Sequence, residues 1–286
     1  MRRHAMTAMR RHLSSSSSSS LIRVQADSVD AAVKIVTLNS PNNLNAMTVS
    51  LGDAFCKAIE DLRMLPPAEL RVVVLTGEGR AFSAGGDLTF LEERRVASPT
   101  SNAITMRAFY ERFLSVRSLP VPVIACINGP AIGAGLCLAM GTDIRVTHDK
   151  AKLGFTFCGL GLHPGMGCTH TISSAAGGQA AARMLLTADV ISGADAAKVG
   201  FVSSSEPDAA AALAESLGIA RRVAAQSPLA VRATVATLRR AANMGLDAAL
   251  AREADAQAQS YASADYAEGL AALREKRPPA FSGELG

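Results

Sequence analysis

Two short glycine-rich segments each follow a predicted strand and lead into a predicted helix, so they could present backbone N–H groups to a ligand. In residues 79–88 (GRAFSAGGDL), Ala84, Gly85 and Gly86 carry little side-chain bulk, and residues 130–135 (PAIGAG) repeat the arrangement. Glycine allows close approach of backbone to ligand, and the helix that follows adds positive potential. If two such N–H groups converged on one oxygen, they would form an oxyanion hole. Either turn taken singly is equally explained by glycine that packs a strand against a helix.

Histidine is the side chain whose pKa best suits acid–base chemistry at neutral pH. Beyond the N-terminal segment the chain has three: His148, His163 and His170. His148 follows a strand in a polar context, which favours a surface position. His163 precedes Pro164-Gly165, and His170 stands at the start of a helical stretch. A loop histidine also commonly caps a backbone group, so His163 and His170 are candidate catalytic residues with that alternative left open.

Two longer segments around these residues resemble the acyl-CoA site of the enoyl-CoA hydratase/isomerase (crotonase) family. They are residues 122–143 (PVIACINGPAIGAGLCLAMGTD) and residues 152–167 (KLGFTFCGLGLHPGMG), and the resemblance covers roughly residues 30–281. By this resemblance the N–H groups of Gly86 and Ala134 form the oxyanion hole, with alanine where the family usually has glycine. Family hydratases carry one glutamate in each segment, and the matching residues here are Cys137 and Phe157. The resemblance therefore implies a thioester site without the usual hydration pair.

The two residues at the glutamate positions have very different chemistry. A thiol near a helix N-terminus has a lowered pKa and is nucleophilic, which makes Cys137 a candidate catalytic residue. The alternative is a small buried apolar residue between Leu136 and Leu138. Phe157 cannot move a proton, so we expect it to line a dry pocket or to belong to the core.

The same resemblance extends to the coenzyme A end of the site. Residues 41–46 (PNNLNA) resemble the stretch that borders the adenine, and residues 269–281 (GLAALREKRPPAF) resemble the segment that supplies a lysine, here Lys276. A lysine at a helix end is also commonly solvated and complements the helix dipole. The substrate-binding residues predicted in this way are Asn43, Leu44, Ala84, Gly86, Asp87, Leu88, Phe157 and Lys276. No cofactor is expected, since coenzyme A is part of the substrate.

Charge and composition exclude some function classes. The formal net charge is +4, and Arg2, Arg3, Arg10 and Arg11 account for all of it. The remaining chain is neutral, which argues against a nucleic-acid partner. Residues 1–20 are rich in arginine and serine and lack acids, as in a mitochondrial transit peptide. The alternative is a disordered tail. The prediction is a mitochondrial matrix protein.

Cysteine spacing and hydropathy narrow the possibilities further. The five cysteines form no CxxC pair and are interpreted as free thiols, mostly buried. Neither metal-ligand spacing nor a Ser/His/Asp triad is apparent, so no metal is predicted. The uncharged residues 118–142 are interrupted by proline and glycine, which favours a buried strand, loop and helix over a membrane span.

The order of elements predicts an α/β fold with largely parallel strands. Expected strands are residues 21–25, 32–38, 71–76 and 123–127, with a helix over 48–65. Asp87 caps a short helix, and residues 96–102 are expected to be a polar loop before a helix that reaches about 118. Four helices follow, over residues 208–225, 229–243, 246–261 and 266–276.

The resemblance implies a crotonase-like spiral of repeated ββα units with a C-terminal all-helical region. We divide the chain into a tail (1–20), a spiral core with the acyl-CoA site (21–207) and a C-terminal helical region for oligomerisation and a coenzyme A lid (208–286). The function implied by the resemblance is that of an enoyl-CoA hydratase/isomerase-like enzyme of fatty-acid or branched-chain acyl-CoA metabolism. It would bind an acyl-CoA thioester as a homotrimer or hexamer and stabilise the thioester enolate in the oxyanion hole. Alternatives are a decarboxylase of malonyl-type thioesters and a non-catalytic acyl-CoA-binding subunit.

Overall fold

The computed structural model describes residues 20–283, so the predicted N-terminal tail lies, except for Ser20, outside the described residues. The main sheet has six strands in the order β1-β2-β3-β4-β6-β9. Only the β1–β2 pair is antiparallel, and the other four pairs are parallel. The largely parallel sheet predicted from the sequence is therefore confirmed. The strands are Ile22–Ala26, Val33–Leu38, Val72–Gly77, Val123–Ile127, Ile144–His148 and Ser204–Glu206.

A second, smaller sheet stands beside the first and carries one of the glycine-rich turns. Its order is β5-β7-β8, where β5 pairs parallel with β7 and β7 pairs antiparallel with β8. The chain alternates between the two sheets, so that β4–β5 and β6–β7 are each followed by a helix. Together with β1–β2 and its helix, these are the repeated ββα units of the predicted spiral. The strands of the small sheet are Ala131–Ile132, Lys152–Gly154 and Val190–Ser192.

The described residues contain ten α-helices. The first six lie within the spiral: α1 (Val49–Arg63), α2 (Leu88–Val96), α3 (Pro99–Leu114), α4 (Ala134–Met140), α5 (Cys168–Thr187) and α6 (Gly193–Val199). The last four follow each other without a strand, as predicted: α7 (Ala209–Ala224), α8 (Pro228–Ala241), α9 (Leu246–Tyr261) and α10 (Ala264–Glu275).

The polar loop predicted over residues 96–102 is wrong. Helix α2 continues to Val96, and α3 already begins at Pro99. The hydroxyl of Ser98 accepts a hydrogen bond from the Ser101 N–H, and proline follows at the first helical position. A serine cap followed by proline is a helix-start signal that outweighs the polar composition of the segment. The same helix gives way at Ser115 to a 3-10 turn that ends at Ser118.

Helices cover both faces of the main sheet and pack against it through apolar side chains. On one face, the side chains of β2, β3 and β4 pack with Phe55 of α1 and Phe113 of α3. On the other face, Ala212, Ala220 and Ala224 of α7 pack against valines of β2, β3 and β6. Small alanine side chains let this helix approach the sheet closely, so α7 completes the core although it follows the last strand. The boundary predicted at 207/208 stays a prediction.

Two arginines tie the C-terminal helices to the spiral. Arg221 of α7 donates two hydrogen bonds of 2.8 Å to the carboxylate of Asp27, just after β1. Arg239 of α8 contacts the carboxylate of Asp143 and donates to the carbonyls of Leu119 and Val121. Bidentate arginine–carboxylate pairs of this kind fix orientation as well as distance.

Candidate active site

The first glycine-rich turn is organised by Ser83, which is fully buried. Its hydroxyl donates to the carbonyl of Asn45 (2.8 Å) and accepts from the N–H of Gly85 (3.2 Å). Gly85 has a φ of 94°, a conformation that favours glycine. The turn ends at Asp87, whose carboxylate accepts from the Phe90 N–H and so caps α2 as predicted. Gly86 lies between these two anchors.

The second turn directs the start of helix α4. The N–H of Gly133 donates to the carbonyl of Gly154 (2.8 Å), and Gly133 has a φ of 53°. Ala134 is the first residue of the helix and is buried. Its φ is not in the left-handed region, so an alanine is accommodated where only the backbone is needed.

The fold packs the two turns directly against each other. Ser83 donates from its N–H to the carbonyl of Pro130 (3.1 Å) and accepts from the N–H of Ile132 (3.1 Å). A β-carbon built on Gly85 would stand 2.5 Å from the carbonyl oxygen of Ile132 and 3.5 Å from the nitrogen of Ala134. Glycine at position 85 is therefore required by the contact between the turns. Residues that are about fifty positions apart in the sequence become neighbours.

Within residues 20–283, the N–H groups of Gly86 and Ala134 donate no hydrogen bond. The first N–H groups of any helix lack an intrahelical acceptor, which explains Ala134. In the first turn, the Met47 N–H donates to the carbonyl of Gly85 (2.7 Å), and this hydrogen bond does not involve the N–H of Gly86. Two N–H donors without an acceptor, on turns that pack against each other, are compatible with an oxyanion site.

Cys137 lies one helical turn after Ala134 and is buried, with 1% of its surface exposed. Burial raises the pKa of its thiol well above the ordinary value, and a hydrogen bond with Cys168 adds to the shift. That bond lowers the pKa of Cys168, the first residue of α5. The five cysteines are free, with Cys126 also buried and Cys158 exposed. The prediction of free, mostly buried thiols is confirmed, whereas a nucleophilic role of Cys137 stays a prediction that its raised pKa does not favour.

The other residues predicted to act on the acyl group lie between β7 and α5. Phe157 immediately precedes the 3-10 turn Cys158–Leu160 and packs its partly buried ring against the main core. His163 and His170 are exposed, with Nδ1 of His163 lying 2.8 Å from the Pro164 carbonyl oxygen. This contact agrees with the alternative prediction, in which a loop histidine hydrogen-bonds a backbone group. A catalytic role for either histidine stays a prediction.

The predicted coenzyme A stretch lies against the first turn. Leu44 has a φ of 56°, and its carbonyl accepts from the Ala84 N–H (2.9 Å), whereas Asn43 is exposed. Sequence reasoning missed Asn45, a fully buried residue whose amide donates to the carbonyls of Glu78 and Ala81. A polar side chain between apolar neighbours in a loop was the available signal, since such a group must be satisfied when buried.

Two remaining predicted residues are exposed. Leu88 is 76% exposed at the start of α2. Lys276 ends α10 in a left-handed conformation (φ 54°), and its side chain makes no ion pair within the described part of the chain. Neighbouring Arg277 instead pairs with Glu268 and Glu275. Lys276 is thus available to an anionic ligand.

Among the described residues no cluster of three or more His, Cys, Asp or Glu side chains could hold a metal ion. In the same residues, no helix is both long and apolar enough to cross a membrane.

Comparison with known sequences identifies the family. The sequence model of the enoyl-CoA hydratase/isomerase family matches residues 28–284. This chain belongs to the enoyl-CoA hydratase/isomerase family. A relative from Thermus thermophilus is 34% identical over 249 residues, with 87% of this chain and 97% of that protein aligned. The 2,3-dehydroadipyl-CoA hydratase of Escherichia coli is 32% identical over 251 residues, with coverage of 88% and 95%.

Structural and eukaryotic relatives agree with this assignment. The crystal structure of an enoyl-CoA hydratase from Bacillus anthracis superimposes with a TM-score of 0.84 at 30% identity, covering 92% of this chain and all of that chain. The mitochondrial methylglutaconyl-CoA hydratase of Mus musculus is 31% identical over 256 residues, with coverage of 88% and 80%. Relatives of this family member are thus found in mitochondria and in bacteria, and the family fold of the spiral is confirmed.

Proposed function

We propose that this protein binds an acyl-CoA thioester and stabilises its enolate with the N–H groups of Gly86 and Ala134. The observation that carries the proposal is that these two N–H donors, on turns packed against each other, both lack an acceptor. A thioester carbonyl oxygen placed between them would accept both hydrogen bonds, and these would strengthen as negative charge develops on the oxygen. The names of the E. coli and mouse relatives describe acyl-CoA substrates, which supports the same substrate class here.

The remaining substrate contacts follow from the positions of the predicted residues. Asn43, Leu44 and Ala84 would border coenzyme A, Phe157 would line the acyl group, and Lys276 would offer a charge to a phosphate. Asp87 would act by capping α2 and so fixing the turn beside Gly86. No separate cofactor is included in the proposal. It does include a homotrimer or hexamer, and a mitochondrial matrix location directed by residues 1–20.

The reaction is constrained by Cys137 and Phe157, neither of which carries a carboxylate. A buried thiol with a raised pKa stays protonated at neutral pH and cannot activate water as a base. We therefore propose enolate stabilisation as the function of the site and expect hydration to be weak. Decarboxylation of a malonyl-type thioester is the second candidate function, because the carboxylate leaves as carbon dioxide and no base is required. The remaining alternative is a non-catalytic acyl-CoA-binding subunit.

The proposal is tested by removing one N–H donor without disturbing the helix. In Ala134→Pro the N–H is lost, and proline is well tolerated at the first position of a helix. The matched control Ala134→Gly keeps the N–H. Both variants and the unmodified protein would be assayed with enoyl-, 3-hydroxyacyl- and malonyl-type CoA thioesters. We expect Ala134→Pro to lower turnover by about 10²–10³-fold while Ala134→Gly stays active.

The same panel separates the candidates. Turnover identifies an enzyme, and the product distinguishes hydration from decarboxylation. Binding without turnover would indicate the non-catalytic subunit. Equal turnover by the proline and glycine variants would refute the oxyanion role of Ala134.

A further inference from the structure

Tyr110, on helix α3, reaches across to the loop that precedes α5. A β-carbon built on Gly165 would lie 2.6 Å from the phenol oxygen and 3.1 Å from the ring carbon that bears it. The hydroxyl is therefore packed directly against the backbone at position 165, and only glycine leaves it this space.

The loop adopts an unfavourable backbone conformation around this hydroxyl. Met166 has a φ of 53°, although it is not a glycine, and Gly167 follows with a φ of 71°. Met166 is buried, and its backbone hydrogen-bonds the phenol. Strained non-glycine residues persist where the surrounding contacts over-determine them, and they concentrate at functional sites.

Tyr110 also contacts a cluster of aromatic rings. Tyr110 meets Phe109 edge to face, with centroids 6.4 Å apart and an interplanar angle of 74°. Phe109 in turn stacks on Phe90 and contacts Phe113, each at 5.0 Å. Since these rings are buried in the main core, the phenol has little freedom to leave the loop.

The phenol belongs to a cluster of three weak acids, Tyr110, Cys137 and Cys168. The two thiols share a hydrogen bond, and both interact electrostatically with Tyr110. Burial raises the pKa of Tyr110, and the thiols raise it further, so the phenol keeps its proton at neutral pH. Cys137 follows Ala134 by three residues, a rise of about 4.5 Å along the helix. The cluster therefore lies beside the proposed oxyanion donors.

We propose that Tyr110 is a catalytic acid that delivers a proton to the α-carbon of the thioester enolate. With a malonyl-type thioester, the bond to the carboxylate breaks, carbon dioxide leaves, and the bonding electrons form the enolate held by Gly86 and Ala134. The O–H bond of Tyr110 then breaks, its proton joins the α-carbon, and the phenolate recovers a proton from water. The same transfer would complete hydration of an enoyl thioester. This inference rests on the proposed function and names the acid that the absent glutamates leave unassigned.

The test compares Tyr110→Phe, which removes only the oxygen, with the control Tyr266→Phe on α10. The probes are the CoA thioester of 2-methylmalonate and crotonyl-CoA, each in deuterium oxide. We expect Tyr110→Phe to lower kcat by about 10²–10⁴-fold with acyl-CoA affinity unchanged. Deuterium should enter one face of the α-carbon in the unmodified protein and in Tyr266→Phe, and both faces in Tyr110→Phe. A structural role alone would not alter this stereochemistry while leaving affinity unchanged.

A second variant, Gly165→Ala, keeps the phenol but displaces its oxygen, and it should reproduce the loss of facial selectivity. If Tyr110→Phe fails to fold, Gly165→Ala tests the role of the Tyr110 hydroxyl in its place. Retained rate and selectivity in Tyr110→Phe, or in Gly165→Ala, would overturn the inference. The inference would also be overturned if the unmodified protein bound acyl-CoA but turned over neither probe. That result would leave the proposed acyl-CoA binding standing. Absence of acyl-CoA binding by the unmodified protein would overturn the proposed function itself and this inference with it.

Discussion

Gly135 of helix α4 and Ser83 of the first glycine-rich turn are packed so closely that no side chain fits between them. A β-carbon on Gly135 would lie 2.5 Å from the Ser83 carbonyl oxygen and 2.8 Å from its β-carbon. This contact brings together the two elements that carry Gly86 and Ala134.

Replacing Gly135 with alanine should therefore separate the two turns. We expect Gly135→Ala to destabilise the fold by about 1–3 kcal/mol, as overpacking of a core does, and to reduce turnover. Gly178→Ala is the matched control, since a β-carbon there meets nothing within 4 Å. Urea unfolding and acyl-CoA turnover measure both effects. Normal stability and turnover in Gly135→Ala would show that the contact does not fix the site.

Hydration of crotonyl-CoA should be weak in the unmodified protein. General acid–base catalysis typically contributes about 10²–10⁴-fold, and neither Cys137 nor Phe157 can supply it as a carboxylate does. The hydration rate is compared with that of the double variant Cys137→Glu with Phe157→Glu under the same conditions. We expect the double change Cys137→Glu with Phe157→Glu to raise hydration and to lower the melting temperature, because position 137 is buried.

Efficient hydration by the unmodified chain would contradict this expectation. The exposed histidines would then be the next candidates, and His163→Ala and His170→Ala would show which of them moves the proton.

The Asp27–Arg221 pair should make stability depend on acid pH. The hydrogen bonds from Arg221 lower the pKa of Asp27 to about 2. A lowered pKa means that the folded state favours the carboxylate, so the stabilisation is present above the unfolded pKa of about 4 and is lost as pH falls through about 2. Because about a third of the Arg221 side chain is exposed, solvent screens the pair, and the expected contribution is about 1 kcal/mol. In urea unfolding, Asp27→Asn should be less stable than the unmodified chain at pH 7, and the difference should shrink below pH 4.

Asp61→Asn is the control for that experiment, because Asp61 is an exposed residue of α1. Exposed ion pairs contribute little. An equal loss in both variants would contradict the assignment of the effect to the Asp27–Arg221 pair.

Alkylation should distinguish the cysteines in the native protein. Cys158 is exposed, whereas Cys126 and Cys137 are buried and burial raises the pKa of each thiol. Because the thiolate is the reactive form, N-ethylmaleimide should label Cys158 first and Cys137 only after unfolding. Peptide mass spectrometry at successive times measures the order. Rapid native labelling of Cys137 would instead support its predicted nucleophilic role.

The N-terminal segment should direct import into mitochondria. A fluorescent fusion of the full chain should enter the organelle, and a fusion lacking residues 1–20 should not. Protein recovered from the organelle should begin near residue 21. An unchanged location of the shortened fusion would refute the targeting prediction.

The sequence by itself determined the local elements of this protein. Runs of valine and isoleucine marked the central strands, and the periodic apolar residues of α1 marked its buried face. Glycine at positions 85 and 133 marked turns, and Asp87 marked a helix start, because each acts on its own backbone. The single clear error, the loop over residues 96–102, arose because the polar composition of the segment masked the Ser98-Pro99 helix-start signal.

Only the tertiary structure decided which residues meet. No local pattern predicts that Ser83 hydrogen-bonds both Asn45 and Pro130. The sequence likewise does not show that Cys137 hydrogen-bonds Cys168, or that the Tyr110 hydroxyl packs against Gly165. These contacts join elements far apart in the chain, and they depend on sheet order and helix packing. The backbone donors could therefore be predicted from the sequence, because a local turn is enough to leave a backbone N–H without an acceptor. The contacts of the surrounding side chains could not be predicted in this way, because the whole fold determines which side chains become neighbours.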